Sequence, residues 1–73
     1  MHIGRRIKDV MQKERRSPSW LASKIPCARQ NVYHIFSREN IDIHLLSRIS
    51  QLLDHDFFSE LSSQFQQLRD NKE

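Results

Sequence analysis

Residues 28–36 concentrate side chains that form hydrogen bonds with anions and with flat polar edges. A helix turns about 100° per residue, so a helix here gathers its apolar residues on one face, namely Ala28, Val32, Ile35 and Phe36. Polar and cationic side chains then occupy the opposite face and its flanks; they belong to Arg29, Gln30, Asn31, Tyr33, His34, Ser37 and Arg38. The first carboxylate after these residues is Glu39. A surface of this composition suits a polyanion whose edges offer hydrogen-bond partners.

Side chains for catalysis or metal binding do not form a recognisable group in this sequence. Cys27 is the single cysteine, so an internal disulfide and a multi-cysteine zinc site are excluded, and we expect a buried thiol. The four histidines lack a recurrent ligand spacing. Asp54, His55 and Asp56 adjoin a predicted helix end, where capping explains them better than acid–base catalysis. We therefore predict no enzymatic activity, no metal and no cofactor.

Positive charge is concentrated in the first half of the chain. Residues 1–38 hold nine Lys and Arg against two carboxylates, a net charge of +7. Residues 39–73 hold three against seven, a net charge of −4. This asymmetry favours an anionic partner at the N-terminal end, and a merely solvated basic face is the alternative.

The length of 73 residues predicts one small domain, residues 1–73, with no room for a separate small-molecule domain. No apolar run approaches the roughly 18 residues of a membrane span. The charged N-terminus also lacks the apolar core of a secretory signal. We therefore expect a cytoplasmic protein without a membrane partner.

Three helices are predicted in the first half. The first follows an apolar stripe of Ile3, Ile7, Val10 and Met11 and runs to about Glu14.

The second helix starts at Ser17-Pro18, with serine as the N-cap and proline in the first turn. Pro26 ends it at about Ile25. Because the helical period resumes at residue 28, a tight turn must join helices 2 and 3. This predicts a helix-turn-helix at about residues 18–37.

Two further helices complete an all-α, five-helix domain. Asp42 is expected to cap helix 4, and Asp56 is expected to cap helix 5, which spans about residues 57–70. Outside helix 1, the residues expected in the core are Leu21, Ile25, Leu45, Leu46, Ile49, Leu52, Leu53, Phe57, Phe58 and Leu61, with Trp20 in the core or at its edge.

Residues 21–35 resemble the helix-turn-helix of the lambda-repressor-like (Xre/Cro-type) family of small bacterial and phage DNA-binding regulators. The resemblance lies in Leu21-Ala22 at the first helix and in Val32 and Ile35 on the second. Residues 41–53 resemble the fourth helix of the family, so the resemblance covers about residues 3–61. Three positions depart from the family pattern: Pro26 replaces the turn glycine, Ala28 replaces a capping Ser or Thr, and Pro18 replaces a frequent Gln.

This resemblance implies a transcription regulator that binds double-stranded DNA and reads the major groove with residues 28–37. The candidates for base contact that it implies are Arg29, Gln30 and His34, together with Tyr33 and Asn31. The candidates for phosphate contact are Lys24 and Arg38, together with Arg15, Arg16 and Ser17.

The apolar residues of helix 5 leave other interpretations open. Leu61, Phe65 and Leu68 either pack back on helices 1 and 4 or form an exposed stripe. An exposed stripe suits a homodimer or a protein-interaction module, as in antitoxin-like proteins that bind a protein partner.

Overall fold

The computed structural model describes residues 1–70 and shows five α-helices in that part of the chain. They are α1 (Ile3–Lys13), α2 (Pro18–Lys24), α3 (Arg29–Ser37), α4 (Ile43–Leu53) and α5 (Phe57–Asp70). Residues 1–70 contain no β-strand. The predicted all-α, five-helix fold class is therefore confirmed.

One cluster of buried apolar side chains joins all five helices. It contains Ile3, Ile7, Val10, Met11, Leu21, Ala22, Val32, Ile35, Leu46, Ile49, Leu53 and Phe57. The predicted stripe of α1 is completely buried, whereas Leu45 and Leu52 of α4 are half-buried at the edge of the cluster. The core thus follows the helical period of the sequence.

The two phenylalanines that begin α5 have different environments. Phe57 is fully buried, but Phe58, which we expected in the core, exposes 37% of its surface. Successive residues of a helix point about 100° apart, so the two rings cannot face the same core. The prediction for Phe58 is wrong for this reason.

The start of α1 is fixed against the end of α3 by backbone hydrogen bonds. The N–H of Ile3 donates to the carbonyl of Glu39 at 3.0 Å, and the N–H of Gly4 donates to the carbonyl of Arg38 at 2.9 Å. A Cβ atom at Gly4 would lie less than 3.0 Å from three carbonyl oxygens around the end of α3. Glycine at this position therefore permits the close approach of the two backbones.

α2 begins where the sequence predicts. Ser17 is the N-cap, and its Oγ accepts a hydrogen bond from the N–H of Trp20 at 3.1 Å. Pro18 occupies the first turn. Trp20 is half-buried at the edge of the core, and the guanidinium of Arg16 lies 4.6 Å from the centre of its ring.

Residues 25–28 turn the chain from α2 to α3. Ile25 is the C-cap of α2 with φ of −106°, and Ala28 is the N-cap of α3 with φ of −72°. Among residues 1–70, positive φ angles occur outside this turn, at Arg15 and Asp54. Pro26 therefore fits the turn, because no left-handed residue is required there. Cys27 is half-buried in this turn, which corrects the expectation of a buried thiol.

The predicted caps of α4 and α5 are confirmed. Asp42 Oδ1 accepts from the N–H of His44 at 2.8 Å, and Asp56 Oδ1 accepts from the N–H of Ser59 at 3.0 Å. Asp54, with φ of 51°, ends α4 in the left-handed conformation. The short link between α4 and α5 is thus determined by local capping.

The first turn of α5 is held against α1 by an ion pair. Arg6 donates from Nε to Glu60 Oε1 at 2.8 Å and from Nη2 to Glu60 Oε2 at 3.1 Å. His55 also contacts Glu60 Oε2 through Nε2. The hydrogen bonds from Arg6, followed by the contact with His55, lower the pKa of Glu60 to about 2.

The outer half of α5 projects from the core. Leu61 is half-buried, but Phe65 and Leu68 expose 62% and 66% of their surfaces. The radius of gyration is 13.1 Å, whereas a compact domain of this length has about 11 Å. Phe65 and Leu68 therefore do not pack back on α1 and α4, which decides between the two arrangements that the sequence left open.

Candidate nucleic-acid interface

α3 has a buried face and an exposed polar face, as its helical period predicts. Val32 and Ile35 are buried, and Phe36 is half-buried beside them. Ala28, expected on the same face, is exposed because it is the N-cap and α3 begins one residue later. The exposed face carries every predicted base-contact residue: Arg29, Gln30, Asn31, Tyr33 and His34. The apolar face thus fixes the helix while the polar face meets solvent.

The first turn of α3 lacks a side-chain cap, because Ala28 has no hydrogen-bonding group. Backbone N–H groups at an uncapped helix N-terminus attract anions. Arg29 lies in the same turn, and its Nη1 is 3.4 Å from Ser19 Oγ of α2. This contact directs the guanidinium of Arg29 towards the first turn of α2.

One flank of α3 borders a cavity of about 350 Å³. Asn31, His34 and Arg38 provide its polar wall. Ile25, Cys27 and Leu45 form its apolar wall. The structure thus brings two base-contact candidates together with one phosphate-contact candidate.

The opposite flank of α3 borders a smaller cavity, of about 240 Å³. Tyr33 lies there, half in solvent, and its ring stands at 88° to the ring of Phe36 with 6.1 Å between centres. Arg16 also lines this cavity, so the structure brings two predicted site residues, Arg16 and Tyr33, together on one flank of α3. Lys8 and Gln12 of α1 line it too, and sequence reasoning had assigned them no role. The spacing of Lys8 and Gln12 was the available signal, because residues four apart share one side of a helix.

The remaining phosphate-contact candidates are spread around α2. Ser17 uses its Oγ as an acceptor for the helix cap, which leaves its O–H free to donate. Lys24 is exposed at the end of α2, where its backbone carbonyl accepts from Arg48 Nη2 at 3.4 Å. Arg15 is exposed in the left-handed conformation after α1. The structure therefore does not gather these residues at one point, and Arg48 is a cation that the sequence did not place near them.

Within residues 1–70, none of the candidate cations forms an ion pair with a carboxylate. The ion pairs within residues 1–70 join Arg6 to Asp9, Arg6 to Glu60, and His55 to Glu60. None involves a predicted base-contact or phosphate-contact residue. Their positive charges remain available for an external anion.

Among residues 1–70, no group of three or more His, Cys, Asp or Glu side chains is arranged to hold a metal ion. None of the five described helices is both long and apolar enough to cross a membrane. No protein-family model, curated protein or solved structure matches this chain. The arrangement of α1, α2 and α3 is therefore the basis for a functional proposal.

Proposed function

We propose that this protein binds double-stranded DNA sequence-specifically and acts as a cytoplasmic transcription regulator rather than as an enzyme. The observation that supports this proposal is the exposed face of α3, which carries hydrogen-bond donors and the guanidinium of Arg29 without a carboxylate. The major groove of DNA admits one α-helix, and its base edges offer hydrogen-bond partners. The proposal also agrees with the resemblance of residues 21–35 to lambda-repressor-like regulators.

Base recognition is assigned to the first turns of α3. Arg29 is suited to O6 and N7 of guanine, and Gln30 and Asn31 are suited to N6 and N7 of adenine. Tyr33 and His34, one turn further along, reach the flanks of the same groove. Side-chain identities at these positions then set the preferred sequence.

Phosphate contacts are assigned to exposed cationic and polar residues around α2 and at the end of α3. Lys24 is the last residue of α2, Arg38 follows the last residue of α3, and Arg15, Arg16 and Ser17 precede α2. Such contacts position a protein on the duplex without distinguishing sequences. Substitutions in the base-contact set and in the phosphate-contact set should therefore change DNA affinity in different ways.

A selection of bound sequences from a random duplex pool tests the proposal. Arg29→Ala and Gln30→Ala should each lower the affinity for the selected duplex by about 1 to 3 kcal/mol and relax its sequence preference. Lys24→Ala should weaken binding to selected and random duplexes alike. Arg69→Ala, which removes an exposed charge on α5, is the matched control and should change neither.

Two results would contradict these assignments. Absence of binding to mixed duplex at low salt refutes DNA binding itself. Equal losses on selected and random duplex for Arg29→Ala, Gln30→Ala and Lys24→Ala refute the division into base and phosphate contacts.

A second candidate function is supported by the projecting half of α5. Leu61, Phe65 and Leu68 are spaced by four and three residues, the spacing of a coiled-coil seam. This stripe suits a homodimer, which would supply the two-fold symmetry of paired DNA half-sites. It equally suits an antitoxin-like module that binds a protein partner.

Salt dependence separates the two functions. Phosphate-driven binding weakens steeply as salt rises, whereas association through apolar surface does not. Phe65→Ser should abolish a homodimer in sedimentation experiments while DNA binding by the monomer persists. If the protein instead forms a complex with a protein partner that resists salt, and Phe65→Ser removes that complex, the result supports the interaction module.

A further inference from the structure

The smaller cavity beside α3 has a cationic and hydrogen-bonding rim. Lys8 and Gln12 come from α1, Arg16 follows that helix, and Tyr33 comes from α3. Among the residues that the structure describes, no carboxylate lines the cavity. All four residues are exposed, so a ligand can reach them from the side on which α3 meets solvent.

The floor of the same cavity is apolar. Met11, Pro18 and Phe36 form it, and Met11 is almost completely buried. A free inorganic anion would gain little from such a floor. A ligand with an anionic end and a small apolar body fits both parts, and a sugar–phosphate unit has this composition.

The position of one rim cation is restricted by its surroundings. The guanidinium of Arg16 lies over the ring of Trp20 at 4.6 Å from its centre, an arrangement in which cation and ring attract each other. Neither Arg16 nor Lys8 has a carboxylate partner within residues 1–70. Both charges are therefore available to the cavity.

We propose that this cavity binds one sugar–phosphate unit of the DNA backbone at the edge of the groove that α3 enters. The phosphate lies between Lys8 and Arg16, the O–H of Tyr33 donates to it, and the deoxyribose packs on the floor. This inference rests on the proposed DNA binding and adds α1 to the contact surface. It also supplies an anchor beside α3, where Ala28 has no hydroxyl to contact a phosphate.

The salt dependence of binding to a mixed-sequence duplex tests this role with Lys8→Gln. Each phosphate contact adds about 0.9 to the slope of log affinity against log salt. Lys8→Gln should therefore reduce the slope by about 0.9 and weaken binding about eightfold at 0.1 M salt. Lys13→Gln is the matched control, because Lys13 is an exposed lysine of α1 that does not line the cavity. It should keep the wild-type slope.

A scan with single methylphosphonate linkages, which remove one backbone charge at a time, locates the contact. On the duplex selected from the random pool, Lys8→Gln should lose less affinity than wild-type protein at one linkage, because only Arg16 and Tyr33 still contact that phosphate. Thermal unfolding should be the same for Lys8→Gln and wild type, since Lys8 is exposed.

The outcomes distinguish this inference from the proposed function. Wild-type binding with equal slopes for Lys8→Gln and Lys13→Gln overturns the cavity assignment and leaves DNA binding intact. A scan in which Lys8→Gln loses as much affinity as the wild type at every linkage has the same meaning. Failure of the wild type to bind any duplex overturns both.

Discussion

α3 and α5 are both amphipathic helices, but the rest of the molecule holds them differently. α3 buries Val32 and Ile35, and the chain that leaves it is hydrogen-bonded to the start of α1. α5 buries Phe57, is tied to α1 through Glu60, and then continues with Phe65 in solvent. α3 is thus oriented by contacts at its side and its end, whereas the outer half of α5 has a free surface. A precise recognition surface requires the first arrangement, and a surface for assembly tolerates the second.

Charge follows the same division. Residues 1–38, which contain α1 to α3, have a net charge of +7, while residues 39–73 have −4. The one ion pair between α1 and α5 links these two parts through Arg6 and Glu60. An anionic ligand is therefore attracted to the α3 end and repelled from the α5 end.

The largest expected effect compares two phenylalanines of α5. Phe57→Ala should destabilise the fold by about 3 to 5 kcal/mol, because it removes a fully buried ring. Phe65→Ala should change the stability of the monomer by less than about 0.5 kcal/mol, because its ring is exposed. Urea unfolding at low protein concentration measures both. A large loss in Phe65→Ala would show that the outer half of α5 packs on the core.

A second, somewhat smaller effect concerns the contact between α1 and α3. Gly4→Ala should destabilise the protein by about 2 to 3 kcal/mol, since its Cβ would press against backbone carbonyls at the end of α3. Urea unfolding measures this change, with exposed Ser62→Ala on α5 as the control. If Gly4→Ala retains wild-type stability, the close crossing of α1 and α3 is not a constraint on α3.

The smallest effect is the pH dependence of the link between α1 and α5. The pKa of Glu60 is about 2 in the folded protein and 4.5 for the ordinary carboxyl, so its contribution to stability is complete above pH 4.5. That contribution is lost as the pH falls from 4.5 towards 2. Because water screens the partly exposed Arg6, we expect Glu60→Gln to cost about 1 kcal/mol at pH 7.

Unfolding of wild type and Glu60→Gln across this pH range checks the effect. The stability difference between them should shrink towards zero near pH 2. Glu14→Gln removes a carboxylate that has no ion pair within residues 1–70, and it serves as the control. A difference for Glu60→Gln that stays constant with pH would refute the role of the ion pair.

Features that depend on near neighbours in the chain were predictable. Ser17, Asp42 and Asp56 cap the helices that the sequence assigns to them, because an N-cap bonds to an N–H two or three residues later. The helical period likewise identified the buried residues of α1 and the exposed face of α3. These interactions span one or two turns of chain, so residue types and spacing are sufficient to define them.

Features that depend on contacts between distant segments could not be predicted from the sequence. The sequence did not show which of Phe57 and Phe58 is the buried ring. It also did not show whether the outer half of α5 projects or packs on α1 and α4. The grouping of Lys8 with Tyr33 beside α3 was also hidden, since the two residues lie on different helices. By itself the sequence determined the five helices, the N-caps of α2, α4 and α5, and the polar face of α3. The tertiary structure decided which of those surfaces meet, because the crossing of helices depends on packing between residues far apart in the chain.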